Sequence, residues 1–304
     1  MDAQHVIGVD VGGTKILAGL VARDGHVERR REHATPLASE DDLIEGIVAA
    51  VEELLDAGVA AVGVGVPSRL DRQTGRALGA VNIPLHDLDL RGRLSSRFGL
   101  PVGVENDASA AAFGEWAFGA GRGTNDLVVL TLGTGVGGGL VVGGRPYRGW
   151  AELGHMVVEL DGAPCQGACT GRGHLESYCS GLAADAAARE VFGETADAHR
   201  LVRLAREGDT EAGEILAGIG RRLGAGIGSL VNIFNPEAIV IGGGFGVAAF
   251  EFLLPAAQET AAREALAPAG ESVRIVRAEL GTAAGLVGAG LVAFEAVDAE
   301  AATD

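Results

Sequence analysis

Lysine is almost absent from this sequence: Lys15 is the only lysine among 304 residues, and arginine supplies the rest of the fixed positive charge. Positive charge as a whole is scarce. The chain has 24 Lys and Arg residues and 41 Asp and Glu residues, so its net charge is −17. This balance excludes a broad basic surface of the kind that binds nucleic acid or anionic membranes. An anionic ligand would have to be held by local hydrogen-bond donors and a metal ion.

Cysteine, basic leader residues and long apolar runs are also scarce. The three cysteines do not suggest a disulfide framework, and the first five residues lack the basic region of a signal peptide. The longest uncharged stretch, residues 127–144, is interrupted by glycines and is typical of a hairpin rather than a membrane span. With 47% hydrophobic residues, the chain can form two well-packed domains. We expect a cytoplasmic protein without nucleic-acid or membrane partners.

The single lysine ends the hexapeptide Asp10–Lys15, which reads Asp-Val-Gly-Gly-Thr-Lys and follows an apolar run at 6–9. Paired glycines let backbone N–H groups approach an anion, threonine adds a hydroxyl donor, and lysine adds a compact positive charge. The hexapeptide therefore predicts a phosphate-binding turn. The same residues also fit an ordinary hairpin turn with an incidental lysine.

A second segment repeats this pattern. Residues 128–132 form another apolar run that enters a Gly-Thr-Gly turn, and a strand-like segment follows at 139–142. No Walker A loop exists, since the only lysine follows Thr14. Residues 133–138 satisfy G-x-G-x-x-G, but that dinucleotide motif must open a helix, whereas here a strand is expected. The repeat indicates two related halves, each with a phosphate-binding turn facing a shared cleft.

Hydrophobic patterning predicts the other elements. Ser39 and Asp42 form a capping signature for a helix at 40–57. A glycine-containing stretch places the domain border within 108–126. Helix is expected over most of 175–235 and at about 282–297, and strands are expected at 4–11, 15–22, 26–33, 60–66, 101–105, 238–241 and 273–277.

Glu105-Asn106-Asp107 lies where a predicted strand gives way to a predicted helix. Asn and Asp are preferred N-cap residues, so capping alone would account for them. The alternative is a general base, because a carboxylate at a helix N-terminus stays ionised and can accept the proton of a substrate hydroxyl. Phosphoryl transfer requires such a residue, together with donors and Mg²⁺ around the phosphates.

His155, Cys165, Cys169 and His174 fall within twenty residues of one another. Mixed His and Cys ligands suit tetrahedral Zn²⁺, and four protein ligands would make the site structural. The alternative is a glycine-rich loop with incidental thiols. Glu176 follows His174 by two residues, which could place its carboxylate beside the loop.

Together these motifs resemble the ROK (repressor, open reading frame, kinase) family of sugar kinases, within the actin-like, ribonuclease-H-like ATPase superfamily. The resemblance runs essentially end to end. It implies an α/β fold of two domains with a ligand cleft between them. Residues 1–110 would form the sugar and phosphate domain, with a last helix at about 282–304 packing back on it, and residues 111–281 would carry the nucleotide site and the zinc loop. The most specific segments are Asp10–Lys15, Glu105–Asp107, Gly133–Gly138, Glu152–His155 and the cysteine loop that ends at Glu176.

The resemblance also implies roles for individual residues. Asp107 would be the catalytic base, and His155 would bind zinc with one ring nitrogen and sugar with the other. The implied sugar-binding residues are Ser68, Arg69, Asn82, Asn106, Asp107, Glu152, His155 and Glu176. The implied nucleotide-binding residues are Gly8, Asp10, Gly12, Gly13, Thr14, Lys15, Gly133, Thr134, Gly135, Val136, Gly137, Gly138, Gly139 and Gly243.

The implied activity is phosphorylation of a hexose 6-hydroxyl by ATP and Mg²⁺, in a homodimeric glucokinase of glycolysis. Kinases of N-acetylmannosamine, N-acetylglucosamine, mannose or fructose are alternatives, as is a sugar-binding regulator without activity. Polyphosphate is an alternative donor. A repressor of this family would carry a helix-turn-helix domain before the first strand, and a strand from residue 4 leaves no room for it.

Two positions depart from the family's pattern. The family usually has Cys-x-Cys followed five residues later by a third cysteine, whereas this chain has Cys165-x-x-x-Cys169 and then His174. Histidine is an acceptable zinc ligand, so the chemistry permits the site with a different loop geometry. Where the family often has Pro-Gly, this chain has Pro67-Ser68, which predicts an altered sugar pocket near one hydroxyl.

Overall fold

The computed structural model describes residues 5–80 and 82–302, which fall into two compact units. The first unit runs to Arg122, adds the short segment Arg148–Trp150, and takes up the chain again from Thr282. The second unit comprises Gly123–Tyr147 and Ala151–Gly281. The border after Arg122 lies within the glycine-containing stretch at 108–126, but later than residue 110, because one continuous helix spans that position. Residue 4, the predicted start of the first strand, lies outside the described residues.

The elements follow one another in the chain as two groups. Those up to residue 118 are β1 (His5–Val11), β2 (Lys15–Ala22), β3 (Val27–Ala34), α1 (Glu40–Glu52), β4 (Val59–Val66), β5 (Ser68–Asp71), β6 (Arg76–Ala80), β7 (Leu88–Asp89), α2 (Leu90–Phe98), β8 (Val102–Asn106) and α3 (Asp107–Phe118). Those that follow are β9 (Leu127–Leu132), β10 (Val136–Val142), β11 (Arg145–Pro146), α4 (Glu176–Cys179), α5 (Gly181–Phe192), α6 (Ala198–Arg206), α7 (Thr210–Phe234), β12 (Ala238–Gly242), α8 (Gly244–Glu264), α9 (Ala269–Ser272), β13 (Arg274–Arg277) and α10 (Ala284–Ala301).

A five-stranded sheet with the order β3-β2-β1-β4-β8 forms the centre of the first unit. β1 pairs antiparallel with β2 and parallel with β4, and β4 pairs parallel with β8. The inner strands are apolar and buried, as strands covered on both faces must be. β3 is largely exposed and carries charged side chains, which suit an edge strand because they discourage pairing with other chains.

The predicted strands and the capped helix are confirmed, with one difference in length. The Ser39 hydroxyl accepts the Asp42 N–H at 3.1 Å and so caps α1 as expected. α1 ends at Glu52 rather than at residue 57. Leu54 is nonetheless fully buried in the turn that follows, so the apolar spacing continues beyond the helix and misleads a prediction of its end. The small sheet of β5, β6 and β7 escapes prediction because its strands are short.

Helix α10 lies against a row of glycines in the central sheet. Gly19, Gly8, Gly63 and Gly103 are aligned across four neighbouring strands. A Cβ atom on Gly63 would lie 1.8 Å from the Ala289 carbonyl oxygen, so a side chain at this position would push the helix away. The segment Gly281–Ala301 is long and apolar enough to cross a membrane, but 61% of its most apolar window is buried in the protein. This burial is typical of a core helix.

The second unit is built around a sheet with the order β11-β10-β9-β12-β13. β9 and β10 form an antiparallel hairpin, as β1 and β2 do in the first unit, so the predicted repeat of the hairpin is confirmed. β12 pairs parallel with β9 and with β13. The long helices α7 and α8 pack closely, with Gly220 and Gly224 each leaving room for a carbonyl of α8.

Candidate active site

The first Gly-Gly-Thr turn joins β1 to β2 and is held by a residue that sequence reasoning missed. Thr35 donates its N–H to the Thr14 carbonyl at 3.0 Å and its hydroxyl to the Gly12 carbonyl at 2.7 Å. The Gly12 N–H donates to the Lys15 carbonyl at 2.9 Å. These bonds fix the carbonyls of the turn within the protein. Asn82, a predicted sugar-binding residue, is exposed beside Gly13.

Lys15 is the first residue of β2, and its side chain is exposed. Its ammonium nitrogen lies 3.0 Å from Glu32 Oε2 on β3, so its charge is paired with a carboxylate of the same sheet. Gly8 was assigned with this turn to the nucleotide, but it is buried within β1, where its missing side chain admits α10. Helix packing accounts for a glycine there without any ligand.

Asp10 and Asp107 form a pair of carboxyl groups in the first unit. The Asp10 carboxyl group lies close to α10, since a Cβ atom on Gly285 would lie 2.5 Å from Asp10 Oδ2. Burial, together with the charge of Asp107, raises the pKa of Asp10 to about 7, while the charge of Lys15 acts in the opposite direction. Carboxylate oxygens that repel each other in this way suit a hard divalent cation such as Mg²⁺.

The sequence left two roles open for Asn106 and Asp107, helix capping and general base, and the structure gives the cap to Asn106. Asn106 is the N-cap of α3, and its side-chain oxygen accepts the Ser109 N–H at 3.0 Å. Asp107 is the first residue of the helix, and its Oδ1 accepts the Ala108 N–H at 2.9 Å. Because the cap belongs to Asn106, capping does not account for Asp107. A carboxyl group at this position suits a general base, which must accept a proton.

Ser68 and Arg69, which the family resemblance places near the sugar, lie on β5. Ser68 is buried, and its hydroxyl lies 3.0 Å from the Gly79 carbonyl of the same small sheet. The Asn106 amide nitrogen lies 3.5 Å from the Ser68 carbonyl oxygen, so these two predicted residues are neighbours. The Arg69 guanidinium lies 5.9 Å from the centre of the Trp150 ring.

Glu105, directly before Asn106, is a fully buried carboxylate held by two arginines that sequence reasoning missed. Arg72 Nη2 donates to Oε1 at 2.6 Å, Arg148 Nη1 donates to Oε2 at 3.0 Å, and the Asn106 N–H donates to Oε1 at 2.8 Å. Arg148 also binds Glu295 on α10. A buried charge persists only when it is paired and hydrogen-bonded. The cluster therefore fixes the chain immediately before Asp107.

In the second unit the Gly-Thr-Gly turn joins β9 to β10. The sequence Gly133–Gly138 thus continues into a strand, and the rejection of a dinucleotide-binding helix is confirmed. The turn itself is accessible, with Thr134 exposed and Gly133, Gly135 and Gly137 half-buried. The remaining predicted nucleotide residues of this segment are buried: Val136, Gly138 and Gly139.

The glycine turn after β12 lies beside this hairpin. Gly243 adopts a positive φ of 77°, and a Cβ there would lie 2.4 Å from the carbonyl oxygen of Leu132, the last residue of β9. Helix α8 begins at Gly244. Since backbone N–H groups at a helix N-terminus attract phosphates, this end of the second sheet offers donors from two elements.

The four predicted metal ligands come together. His155, Cys165, Cys169 and His174 each offer one ligand atom, and these atoms all lie within 4.8 Å of one another. Burial and the neighbouring Cys169 raise the pKa of the Cys165 thiol. Cys179 lies apart from the cluster and is fully buried on α4, and burial raises its pKa. Two imidazoles and two thiols suit Zn²⁺, so the residues present fit this metal despite the longer Cys-to-Cys spacing.

The second unit also contains three of the predicted sugar-binding residues. Glu152 and His155 are exposed and adjacent, with Glu152 Oε2 3.6 Å from His155 Nδ1. Glu176 opens α4, and its Oε2 accepts the Val136 N–H at 2.7 Å. This carboxylate therefore contacts the β9–β10 turn as well as lying near the cysteine loop, a contact that the sequence did not predict.

Comparisons with known proteins agree with this arrangement. A sequence model of the ROK family matches residues 6–296. The chain is 35% identical over 312 residues to a glucokinase of Streptomyces coelicolor, covering 95% of this chain and 97% of the relative. It is 38% identical over 265 residues to a glucokinase of Thermotoga maritima, covering 80% of this chain and 83% of the relative. A solved ROK family glucokinase from Streptomyces griseus, in complex with glucose and AMPPNP, is similar with a TM-score of 0.84 and 35% identity over 96% of this chain and 99% of that one.

Proposed function

Because the chain belongs to the ROK family and has its actin-like ATPase fold, we propose that it is an ATP-dependent hexose kinase of the glucokinase type. The observation that carries the proposal is the position of Asp107, at the start of α3 with Asn106 as the cap and Asp10 nearby. The full-length similarity to a glucokinase bound to glucose and AMPPNP supports this choice of substrates. A homodimer and a cytoplasmic location are proposed from the family alone.

In the proposed reaction, Asp107 accepts the proton of the sugar 6-hydroxyl while that oxygen attacks the γ-phosphorus of ATP. The bond between the γ-phosphorus and the β–γ bridging oxygen breaks, and ADP leaves. Asn106 would orient the sugar from the helix cap, and the two Gly/Thr turns would bind phosphates through N–H and hydroxyl donors. Asp10 would hold Mg²⁺, whose charge offsets that of the phosphates. Glu152, His155 and Glu176 are proposed to bind other sugar hydroxyls.

A coupled assay that detects ADP tests the function directly. We expect turnover with ATP to be fastest with glucose in a panel that also contains mannose, fructose, N-acetylglucosamine and N-acetylmannosamine. A second arm replaces ATP with polyphosphate and detects the sugar phosphate. Preference for an N-acetylated sugar would reassign the substrate. Tight sugar binding without turnover on any member, with either donor, would point to a regulator.

We further propose a structural zinc site formed by the cluster of His155, Cys165, Cys169 and His174. The purified protein is expected to contain about one zinc per chain, measured by elemental analysis after purification without added metal. Cys169→Ala should lose the zinc because it removes one of four ligands. Cys179→Ala is the matched control and should keep it, since Cys179 is buried outside the cluster. An active wild-type enzyme without zinc would contradict the proposal.

Lys15 is proposed to bind ATP phosphate once nucleotide is present, leaving Glu32. A hydrogen bond between charged groups contributes about 1.5–3 kcal/mol, so Lys15→Ala should raise the KM for ATP roughly tenfold or more and leave sugar binding unchanged. Lys15→Arg should restore only part of the loss, because a planar fork does not reproduce a compact ammonium.

Glu32→Gln separates this role from the ion pair seen between the strands. It removes the partner of Lys15 but keeps the lysine, so ATP binding should be retained. If Lys15→Ala and Glu32→Gln both leave KM and kcat unchanged, the lysine serves the sheet surface alone, and phosphate binding at this turn depends on Gly12, Gly13 and Thr14.

A further inference from the structure

The short helix α4 and the two residues after it hold both ends of the β9–β10 turn. Glu176 Oε2 accepts the Val136 N–H at 2.7 Å, and the Gly181 N–H donates to the Gly133 carbonyl at 2.7 Å. The carboxylate also occupies the space beside Gly135, where a Cβ would lie 2.2 Å from Oε2. The conformation of this turn therefore depends on the position of α4.

The same segment is attached to the loop between the two cysteines. Gln166 donates from Nε2 to the Ser180 hydroxyl at 2.6 Å, and this nitrogen lies 3.3 Å from the Glu176 carbonyl oxygen. Ser180 is fully buried and caps α5 by accepting the Ala183 N–H at 3.1 Å. Gln166 is thus hydrogen-bonded to a buried residue, Ser180. Ser180 directly precedes Gly181, one of the residues that hold the turn.

These contacts form one continuous path from the cysteine loop to the turn. Cys165 and Gln166 lie at its start, α4 lies in its middle, and Gly133–Val136 lie at its end. Cys165 Sγ is 4.0 Å from Glu176 Oε1, on the side of the carboxylate that does not hold Val136. Gln166 directly follows Cys165, within the Cys-x-x-x-Cys spacing that departs from the usual pattern of the family.

We propose that Gln166 and Glu176 are positioning residues through which the cysteine loop sets the conformation of the phosphate-binding turn at 133–136. The loop then governs nucleotide binding as well as the sugar contacts that the family resemblance assigns to Glu176. This inference rests on the proposed nucleotide role of the turn. Its structural part, that α4 transmits the loop conformation to the turn, is testable without any nucleotide.

The test measures the Kd of AMPPNP with Mg²⁺ by calorimetry in the absence of sugar. Gln166→Met keeps the volume but removes the donor, and Glu176→Ala removes the acceptor for Val136. Each variant loses one or two hydrogen bonds at the path, so Kd should rise about three- to tenfold. Glu176→Gln retains an acceptor oxygen and should bind AMPPNP close to wild type, although it has lost the charge.

Ser177→Ala is the matched control. Ser177 lies on α4 and donates to the Pro164 carbonyl at 3.2 Å, so its hydrogen bond joins α4 to the residue before Cys165 and not to the turn. Ser177→Ala should bind AMPPNP with a Kd within about twofold of wild type, because the hydrogen bond that it loses is not one of those that hold the turn. Unfolding curves and zinc content, measured on every variant, separate a local effect from general damage.

Amide hydrogen exchange of a peptide spanning 133–137 gives the second readout, without ligand. Exchange should become faster in Gln166→Met and Glu176→Ala but not in Ser177→Ala. Unchanged exchange and unchanged AMPPNP binding in both path variants would overturn the inference, as would a loss of glucose affinity alone in Glu176→Ala. If wild type binds no AMPPNP, the proposed function fails, and the exchange data still decide whether the loop controls the turn.

Discussion

Asp107→Asn is expected to lower kcat by roughly 10²–10⁴, the usual contribution of a positioned general base. Asparagine has the same size and can still accept the Ala108 N–H through its side-chain oxygen, so the start of α3 should be preserved. It cannot take the proton from the sugar hydroxyl. The measurement is steady-state kinetics of the purified variant, with glucose binding followed separately by calorimetry.

Asp89→Asn provides a matched control for this change. Asp89 is also an acidic residue at a helix start, where it caps α2 by accepting the Gly92 N–H at 3.0 Å. Its substitution should leave kcat close to wild type because asparagine is an equally good cap. Near-normal turnover of Asp107→Asn, with glucose binding intact, would remove Asp107 from the catalytic role.

Arg72→Met is expected to cause a large loss of stability. The Glu105 carboxylate is fully buried, and Arg72 is one of its two cationic partners. Removing one partner of a buried ion pair costs about 3–5 kcal/mol, and the lower end of this range applies because Arg148 remains. Chemical denaturation should show a corresponding fall in the free energy of unfolding.

Arg76→Met is the control, since Arg76 begins β6 and Arg72 lies in the turn that joins β5 to β6. Arg76 pairs with Asp87 at an exposed position, where solvent screens the interaction, so its loss should shift the unfolding curve little. The double variant Arg72→Met with Glu105→Met should recover part of the stability, since the unpaired charge is gone as well. An unfolding curve of Arg72→Met that matches wild type would show that Arg148 alone satisfies Glu105.

The local features of the fold could be predicted from the sequence. Ser39 caps α1 and Asn106 caps α3 because capping needs only a side chain within three residues of the N–H that it accepts. The two Gly/Thr hairpins are equally local. The four candidate metal ligands could be predicted because they lie close together in the chain and belong to residue types that bind zinc.

The supporting contacts of the candidate site could not be predicted in this way. Thr35 reaches the first turn from the end of β3, and Arg72 and Arg148 reach Glu105 across 33 and 43 residues. Arginine and threonine are common on protein surfaces, so neither residue type marks such a role. Gln166 also carries no signal of its own, although its neighbours Cys165 and Cys169 draw attention to the loop.

Gly8 and Gly12 differ in whether their structural role could be predicted from the sequence. Both are glycines in one short motif, and the sequence by itself determined that the chain turns after β1 and could present backbone donors to an anion there. The place of Gly12 in the turn could be predicted from the hexapeptide. Only the tertiary structure decided that Gly8 lies under α10, with the Leu286 carbonyl oxygen 2.2 Å from where a Cβ would be. Turn formation depends on neighbouring residues, but close packing depends on a helix that begins more than 270 residues later.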